Sequence, residues 1–231
     1  MITIRHAHDR GHTDHGWLDS WHSFSFAGYH DPAHMGYSVL RVINDDRIAQ
    51  GGGFASHPHR DMEIVTYLLN GALQHKDSLG NGSVIRPGDV QRMSAGSGVV
   101  HSESNAADGE THLLQIWLLP EKVGGASDYE QKHFDEDALR DTLRLVASRN
   151  GRNGSVRIQQ DASIYATRLR EGGTVKYQPA SSRHLYLHVA RGALEVNGTI
   201  LSDGDGAAIE DEAEVTFIGR QQAEALLFDL P

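Results

Sequence analysis

Apolar positions along this chain come in short runs separated by turn residues, and long stretches with helical periodicity are scarce. "SVLRVIND" (38–45), "EIVTYLLNG" (63–71), "HLLQIWLLP" (112–120), "HLYLHVARG" (184–192), "ALEVNG" (193–198) and "EALLFDLP" (224–231) are rich in β-branched and aromatic residues and read as strands. Several close on Gly, Asn-Gly or Pro, the residues of tight turns and hairpins. "NGSVIRPGD" and "DGDGAAIEDEAEVTF" continue the pattern. Only "DEDALRDTL" (135–143) has a helical pattern, and it is short. So many short strands predict an all-β chain, sandwich or barrel, with a few short helices.

Two stretches share one plan, which bears on the number of domains. In "IVTYLLNGALQHKDSLGNGSVIRPGDVQRMSAGSG" a strand closes on Gly71, a strand and turn follow, and Pro87-Gly88-Asp89 opens the next strand. In "YLHVARGALEVNGTILSDGDGAAIEDEAEVTF" Gly192 and Asp203-Gly204-Asp205 stand in the same order. The shared punctuation predicts two related β-domains: residues 1–130, a linker with a short helix over 131–150, and residues 151–231.

Composition narrows the function. The 231 residues carry a formal charge of −10 and a pI of about 5.8, which argues against a nucleic-acid-binding face. No apolar run approaches the ~18 residues needed to span a bilayer. The N-terminus "MITIRHAHDRGHTDHGW" lacks the apolar core of a secretory signal, so a cytoplasmic location is expected. The absence of cysteine excludes disulfides, thiolate metal sites and thiol catalysis.

Candidate chemistry centres on histidine, of which there are 15. Residues two apart on a strand point to one face, so His57 and His59 can aim two imidazoles at one point. His6 and His8 have the same spacing, but nothing near them completes a site. Downstream of the first pair, "PGDVQRMSAGSGVVHSES" ends in His101-Ser102-Glu103, an imidazole and a carboxylate also two apart. If the two hairpins lie opposite each other in a barrel, His57, His59, His101 and Glu103 converge. Three neutral nitrogens and one carboxylate suit Fe(II), Mn, Co, Ni, Cu(II) or Zn, and four ligands leave positions open for substrate or dioxygen.

"HPHRDMEIVTYLLNG" followed by "PGDVQRMSAGSGVVHSE" resembles the two cupin motifs of the pirin family, and "HGWLDSWHSFSFAGYHDPAHMGYSVLRVINDD" (15–46) is similar to its N-terminal signature. The resemblance extends over essentially the whole chain, with bacterial pirin-like quercetin 2,3-dioxygenases as the nearest group. It implies two tandem cupin (jelly-roll) β-barrels in a monomer. It further implies one divalent transition metal, Fe(II) foremost, held in the N-terminal barrel through His57, His59, His101 and Glu103. The implied activity is a metal-dependent dioxygenase that opens the ring of a flavonol such as quercetin with O₂ and releases carbon monoxide, Glu103 serving as ligand and general base. The alternative within the same resemblance is a non-catalytic regulator that binds a partner protein, its metal a redox sensor or structural element.

Other residues receive plainer assignments. Many cupins take a carboxylate ligand where Glu63 stands; with Glu103 in that role, Glu63 is left beside the ligands or in a salt bridge with Arg60. Asp61 is expected to be a surface or structural carboxylate. Trp17, Trp21, Phe24 and Phe26 are expected to pack the N-terminal segment against the barrels, with His22, His30 and His34 scattered beside them. Counting along the second repeat puts Gln178 and Ala180 where His57 and His59 stand, and Phe217 and Gly219 where His101 and Glu103 stand. The second barrel is therefore expected to hold no metal, with His184 and His188 ordinary strand positions.

Overall fold

Each apolar run becomes a strand of an antiparallel sheet in the computed structural model, which describes residues 1–231. The six strands expected from the pattern are found as Leu40–Ile48, Glu63–Asn70, Thr111–Leu118, His184–Arg191, Ala193–Val196 and Ala223–Leu230. The helix expected over 135–143 is only the single turn Glu136–Leu139. It ends there because Arg140 is already extended and Asp141 takes a positive φ of 45°. No helix is long and apolar enough to cross a membrane.

The first of two units comprises Gly11–His133 with Val156–Gln160. Its larger sheet runs in the order Asp128–His133, Asp89–Ser94, Glu63–Asn70, Thr111–Leu118, Leu40–Ile48, Leu18–His22, Gly11–Asp14. The smaller sheet is Gly53–His59, Val99–Asn105, Leu73–Asp77, Gly82–Ile85. Leu18, Ile48, Leu68 and Leu113 from the larger sheet meet Leu73 and Ile85 from the smaller one in a dry cluster. The two sheets thus close face to face as a jelly roll. Strands buried on both faces, such as Glu63–Asn70, explain why the sequence shows continuous apolar runs there rather than strict alternation.

The second unit comprises Met1–Arg10, Phe134–Ser155 and Asp161–Pro231. It repeats the strand order: Ile2–Arg5, Gly206–Ile209, His184–Arg191, Ala223–Leu230, Ser163–Leu169, Arg144–Ser148 in one sheet, and Thr174–Tyr177, Val215–Gly219, Ala193–Val196, Thr199–Ser202 in the other. Gly71 and Gly192, which close equivalent strands, both take positive φ where a Cβ would strike backbone, against Thr111 in one unit and Gln222 in the other. The chain is all-β with two tandem cupin barrels. Its division differs from the linear expectation at both edges. Met1–Arg10 lies in the second unit because Ile2–Arg5 pairs with Gly206–Ile209. The stretch 131–150 is not a free linker, because two strands run into it: Asp128–His133 pairs with Asp89–Ser94, and Arg144–Ser148 with Ser163–Leu169. In each case a segment covers backbone groups that a sheet edge leaves unpaired.

Candidate metal centre and its cavity

Antiparallel pairing of Gly53–His59 with Val99–Asn105 sets His101 directly opposite His57 and Val99 opposite His59. Residues facing each other across such a pair share a face, so His57, His59 and His101 all turn into the barrel. Their ring centroids are 4.4 Å (His57–His101), 4.8 Å (His57–His59) and 4.9 Å (His59–His101) apart, and their ligand-capable atoms lie within 4.8 Å of one another. His57 Nδ1 donates to the carbonyl oxygen of Ala55 at 2.7 Å, which leaves Nε2 with its lone pair. His101 Nε2 is buried and has no hydrogen-bond partner in the protein.

Electrostatics holds two of the rings, His101 and His59, in the neutral state that binds cations. Burial, followed by the neighbouring His57, His59 and His75, pushes the His101 imidazole down to about 3. Burial and then His57 push His59 down to about 4. Neutral imidazoles pointing at one spot, with a buried nitrogen left unsatisfied, fit a divalent metal without further rearrangement of residue types.

Glu103, the fourth expected ligand, is 4% exposed and accepts a hydrogen bond from Gln115 Nε2 at 3.1 Å. Burial raises its carboxyl to about 7; the Gln115 bond opposes the rise and Asp46 adds to it. Between His101 and Glu103 the register slips, so that Phe54 rather than Ala55 stands opposite Glu103. Its ligand atoms cluster with those of His101 and His75, each within 4.8 Å of the others, rather than with the full histidine trio. His75 is fully buried and was not among the residues singled out above. Its signal in the sequence is the same two-residue spacing, His75-Lys76-Asp77. Registry with Val99–Asn105 then sets His75 opposite Glu103 and Asp77 opposite His101.

A cavity of about 630 Å³ opens over the histidines, a volume suited to a drug-sized ligand. Trp17, Phe26, Phe54 and Trp117 form its apolar walls. Trp17 meets Phe54 edge-on at 5.2 Å, Phe26 meets Trp117 edge-on at 5.3 Å, and Trp117 meets the His59 ring edge-on at 5.0 Å. Trp17 and Phe26 therefore line the site rather than serving only as packing: they flank the strand Leu18–His22, and both border the cavity. Trp21, stacked on His12 at 4.1 Å, and Phe24, fully buried, do pack as expected.

The opposite wall is polar. Ser20 donates a short hydrogen bond to Asp46, whose carboxyl is raised to about 7, first by burial and then by Asp45 and Asp19, against the Ser20 bond. His22 bridges Asn44 Oδ1 at 2.8 Å and Thr13 Oγ1 at 3.2 Å, so this histidine belongs to the cavity wall rather than to a scattered group. His30 is exposed, and His34 pairs with Asp31 at 2.7 Å.

Glu63 does not reach for Arg60. Its Oε2 accepts from Ser94 Oγ at 2.8 Å and from the Gln159 backbone N–H at 2.9 Å, while burial raises its carboxyl. Asp61 accepts from the Gly124 N–H at 2.5 Å in a loop. His6 and His8 stack on each other at 5.4 Å, with His6 facing Asp205 at 3.7 Å.

The equivalent strands of the second barrel put Val175 opposite Phe217 and Tyr177 opposite Val215. Positions matching His57 and His59 are thus Val175 and Tyr177, not Gln178 and Ala180, which lie exposed in the following connection. Counting failed because that connection spans residues 178–183, against 60–62 in the first barrel. On the facing strand Phe217 stands opposite Val196 and Gly219 opposite Leu194, so neither place offers a metal ligand. His184 is exposed and His188 is fully buried in its strand.

Two tandem cupin barrels, with His57, His59 and His101 gathered in the first, Glu103 beside His101, and apolar side chains on the facing strands of the second, define a bicupin whose halves differ in their candidate ligands. The Pirin family model matches residues 3–118, and the Quercetinase C-terminal cupin domain model matches residues 145–230. The chain belongs to the pirin family. It is 47% identical to the quercetin 2,3-dioxygenase of Escherichia coli strain K12 across 100% of this chain and 99% of that protein. It is 43% identical to a pirin-like protein of Caulobacter vibrioides over 95% of each. The crystal structure of the Escherichia coli pirin YhhW in complex with nickel(II) superposes with a TM-score of 0.95 at 46% identity, covering 100% of this chain and 99% of that one.

Proposed function

We propose that this protein is a metal-dependent dioxygenase that opens the ring of a flavonol such as quercetin. The observation that carries the proposal is the convergence of three imidazoles, with a buried carboxylate beside one of them, in an aromatic-walled cavity. Support comes also from the extended identity to an Escherichia coli protein named for that activity. His57, His59 and His101 would hold the cation, Fe(II) first among the candidates, with Glu103 completing the set. When bound, such a cation supplies Lewis acidity and open positions toward a hydroxylated aromatic and dioxygen.

The protein's own residues do the rest. Trp17, Phe26, Phe54 and Trp117 take up the flat rings and keep bulk water from the reacting end. Ser20, Asn44, Asp46 and His22 offer hydrogen-bonding groups to the substrate's peripheral hydroxyls along the polar wall. Glu103, oriented by Gln115, takes the proton of the hydroxyl next to the reacting carbon; a carboxyl near neutrality is suited to that transfer. The test is to load metal-free protein anaerobically with Fe(II), add quercetin, and admit air. Loss of quercetin with matched oxygen uptake and carbon monoxide release is expected. Stable quercetin under saturating metal would refute the proposal.

A further inference from the structure

A chain of three side chains runs from the hairpin turn at Asp77 to the edge of the histidine cluster. Asp77 is anchored in the turn that joins Leu73–Asp77 to Gly82–Ile85: its Oδ1 accepts from the backbone N–H of Leu79 at 2.9 Å and of Asn81 at 3.0 Å, and its Oδ2 from Asn81 Nδ2 at 2.9 Å. The same Oδ2 lies 3.1 Å from His75 Nε2. The other nitrogen of that ring, Nδ1, lies 3.5 Å from His101 Nδ1. Tyr129 stacks on His75 at 5.0 Å, and its hydroxyl is tied to Ser83 and, at 2.9 Å, to Gln131, so the ring has little freedom to turn.

These contacts leave one consistent arrangement of protons. An ionised carboxylate only accepts, so His75 Nε2 must carry a hydrogen. An imidazole that carries its hydrogen on Nε2 presents a bare Nδ1. That bare nitrogen accepts, and the group facing it is His101 Nδ1, which therefore carries its own hydrogen. His101 Nε2 is then left with an exposed lone pair, and it is the buried nitrogen without a hydrogen-bond partner, on the ring that meets His57 and His59.

We infer that His75 is a positioning residue: with Asp77 it locks the tautomer of His101 so that Nε2 is presented to the cation. This rests on the metal-binding role proposed for His101. His57 achieves the same end by a different route, its Nδ1 donating to the Ala55 carbonyl. Support of this kind behind a ligand is typically worth about 10- to 100-fold in metal affinity.

The experiment has two readouts. Long-range ¹H–¹⁵N correlation of the imidazoles in metal-free protein at neutral pH reports which nitrogen of His101 is protonated. Nickel(II) titration calorimetry reports affinity. In the parent, His101 is expected to be protonated on Nδ1 alone. His75→Gln retains a donor end for Asp77 and an acceptor end for His101, and should keep that tautomer and bind nickel within about 3-fold of the parent. His75→Leu removes both ends, should release His101 into the Nε2-protonated form, and should weaken nickel binding about 10- to 100-fold. A parent His101 protonated on Nε2 would overturn the inference with no variant required, as would His75→Leu with unchanged tautomer and affinity. The tautomer measurement uses no metal, so a parent with the expected tautomer that fails to bind nickel would sink the metal-binding proposal and leave the relay standing.

Discussion

Gln115 Nε2 reaches across the barrel to Glu103 Oε2 at 3.1 Å, joining the centre strand of the larger sheet to the strand of the smaller one that carries His101. The bond holds one carboxylate oxygen of a fully buried acid and lowers a pKa that burial alone would push higher still. Glu103 is therefore oriented by one sheet and carried by the other.

Replacing Glu103 by Gln should separate charge from shape. The amide keeps the length and a carbonyl oxygen but loses the negative charge and the proton-accepting site. With three imidazoles intact, metal should remain bound about 10- to 100-fold more weakly. Quercetin turnover at saturating metal should fall further, by about 10²–10⁴-fold. Glu63→Gln should change either by little, because its oxygen can still accept from Ser94 and Gln159. Parallel measurement of nickel affinity and quercetin decay in both variants checks this; a normal Glu103→Gln beside an inactive Glu63→Gln would reverse the two roles.

One metal per chain is expected. The first barrel gathers His57, His59 and His101, whereas the matching places of the second hold Val175, Tyr177 and Phe217. Elemental analysis of reconstituted protein should give one equivalent, and His57→Ala combined with His101→Ala should give none. Two tightly held equivalents in the parent would contradict the assignment.

Asp46 should make stability fall as pH rises. Its carboxyl is raised to about 7 in the folded protein against 3.8 for an ordinary aspartate, so the folded state binds more protons between those limits. Stability from this group is full below about pH 4 and is lost progressively up to about pH 7, by roughly 4 kcal/mol at most. Asp46→Asn keeps an oxygen for Ser20 Oγ but cannot ionise. Urea unfolding of metal-free protein should show the variant gaining on the parent from about pH 4 to about pH 7; parallel pH profiles would show that Asp46 is not the source.

The last strand should be indispensable to the second barrel. Ala223–Leu230 is buried along its whole length and pairs on both sides, with Ser163–Leu169 and His184–Arg191. Truncation after Gln222 should open two sheet edges at once and give aggregated protein. The milder Leu227→Ala should cost about 2–5 kcal/mol in urea unfolding, as for other buried leucines. A soluble, cooperatively folding truncation would show that the strand is dispensable.

Local pattern alone determined much of this molecule. Short β-branched runs punctuated by Gly and Pro specify strands and turns, because backbone sterics and side-chain alternation act over a few residues. Alternation by two also made His57 with His59, and His101 with Glu103, legible as same-face pairs. Tertiary structure decided what no local rule reaches. Registry between Leu73–Asp77 and Val99–Asn105 set His75 opposite Glu103 and diagonally beside His101, and a register slip set Phe54 opposite Glu103. A connection of unequal length moved the second-barrel positions from Gln178 and Ala180 to Val175 and Tyr177. Placement of Trp17 and Phe26 before and after the strand Leu18–His22 made expected packing residues into cavity wall. Each of these depends on which strand lies beside which and at what offset. Such long-range pairings are set by burial of whole faces, not by the residues adjacent in the chain.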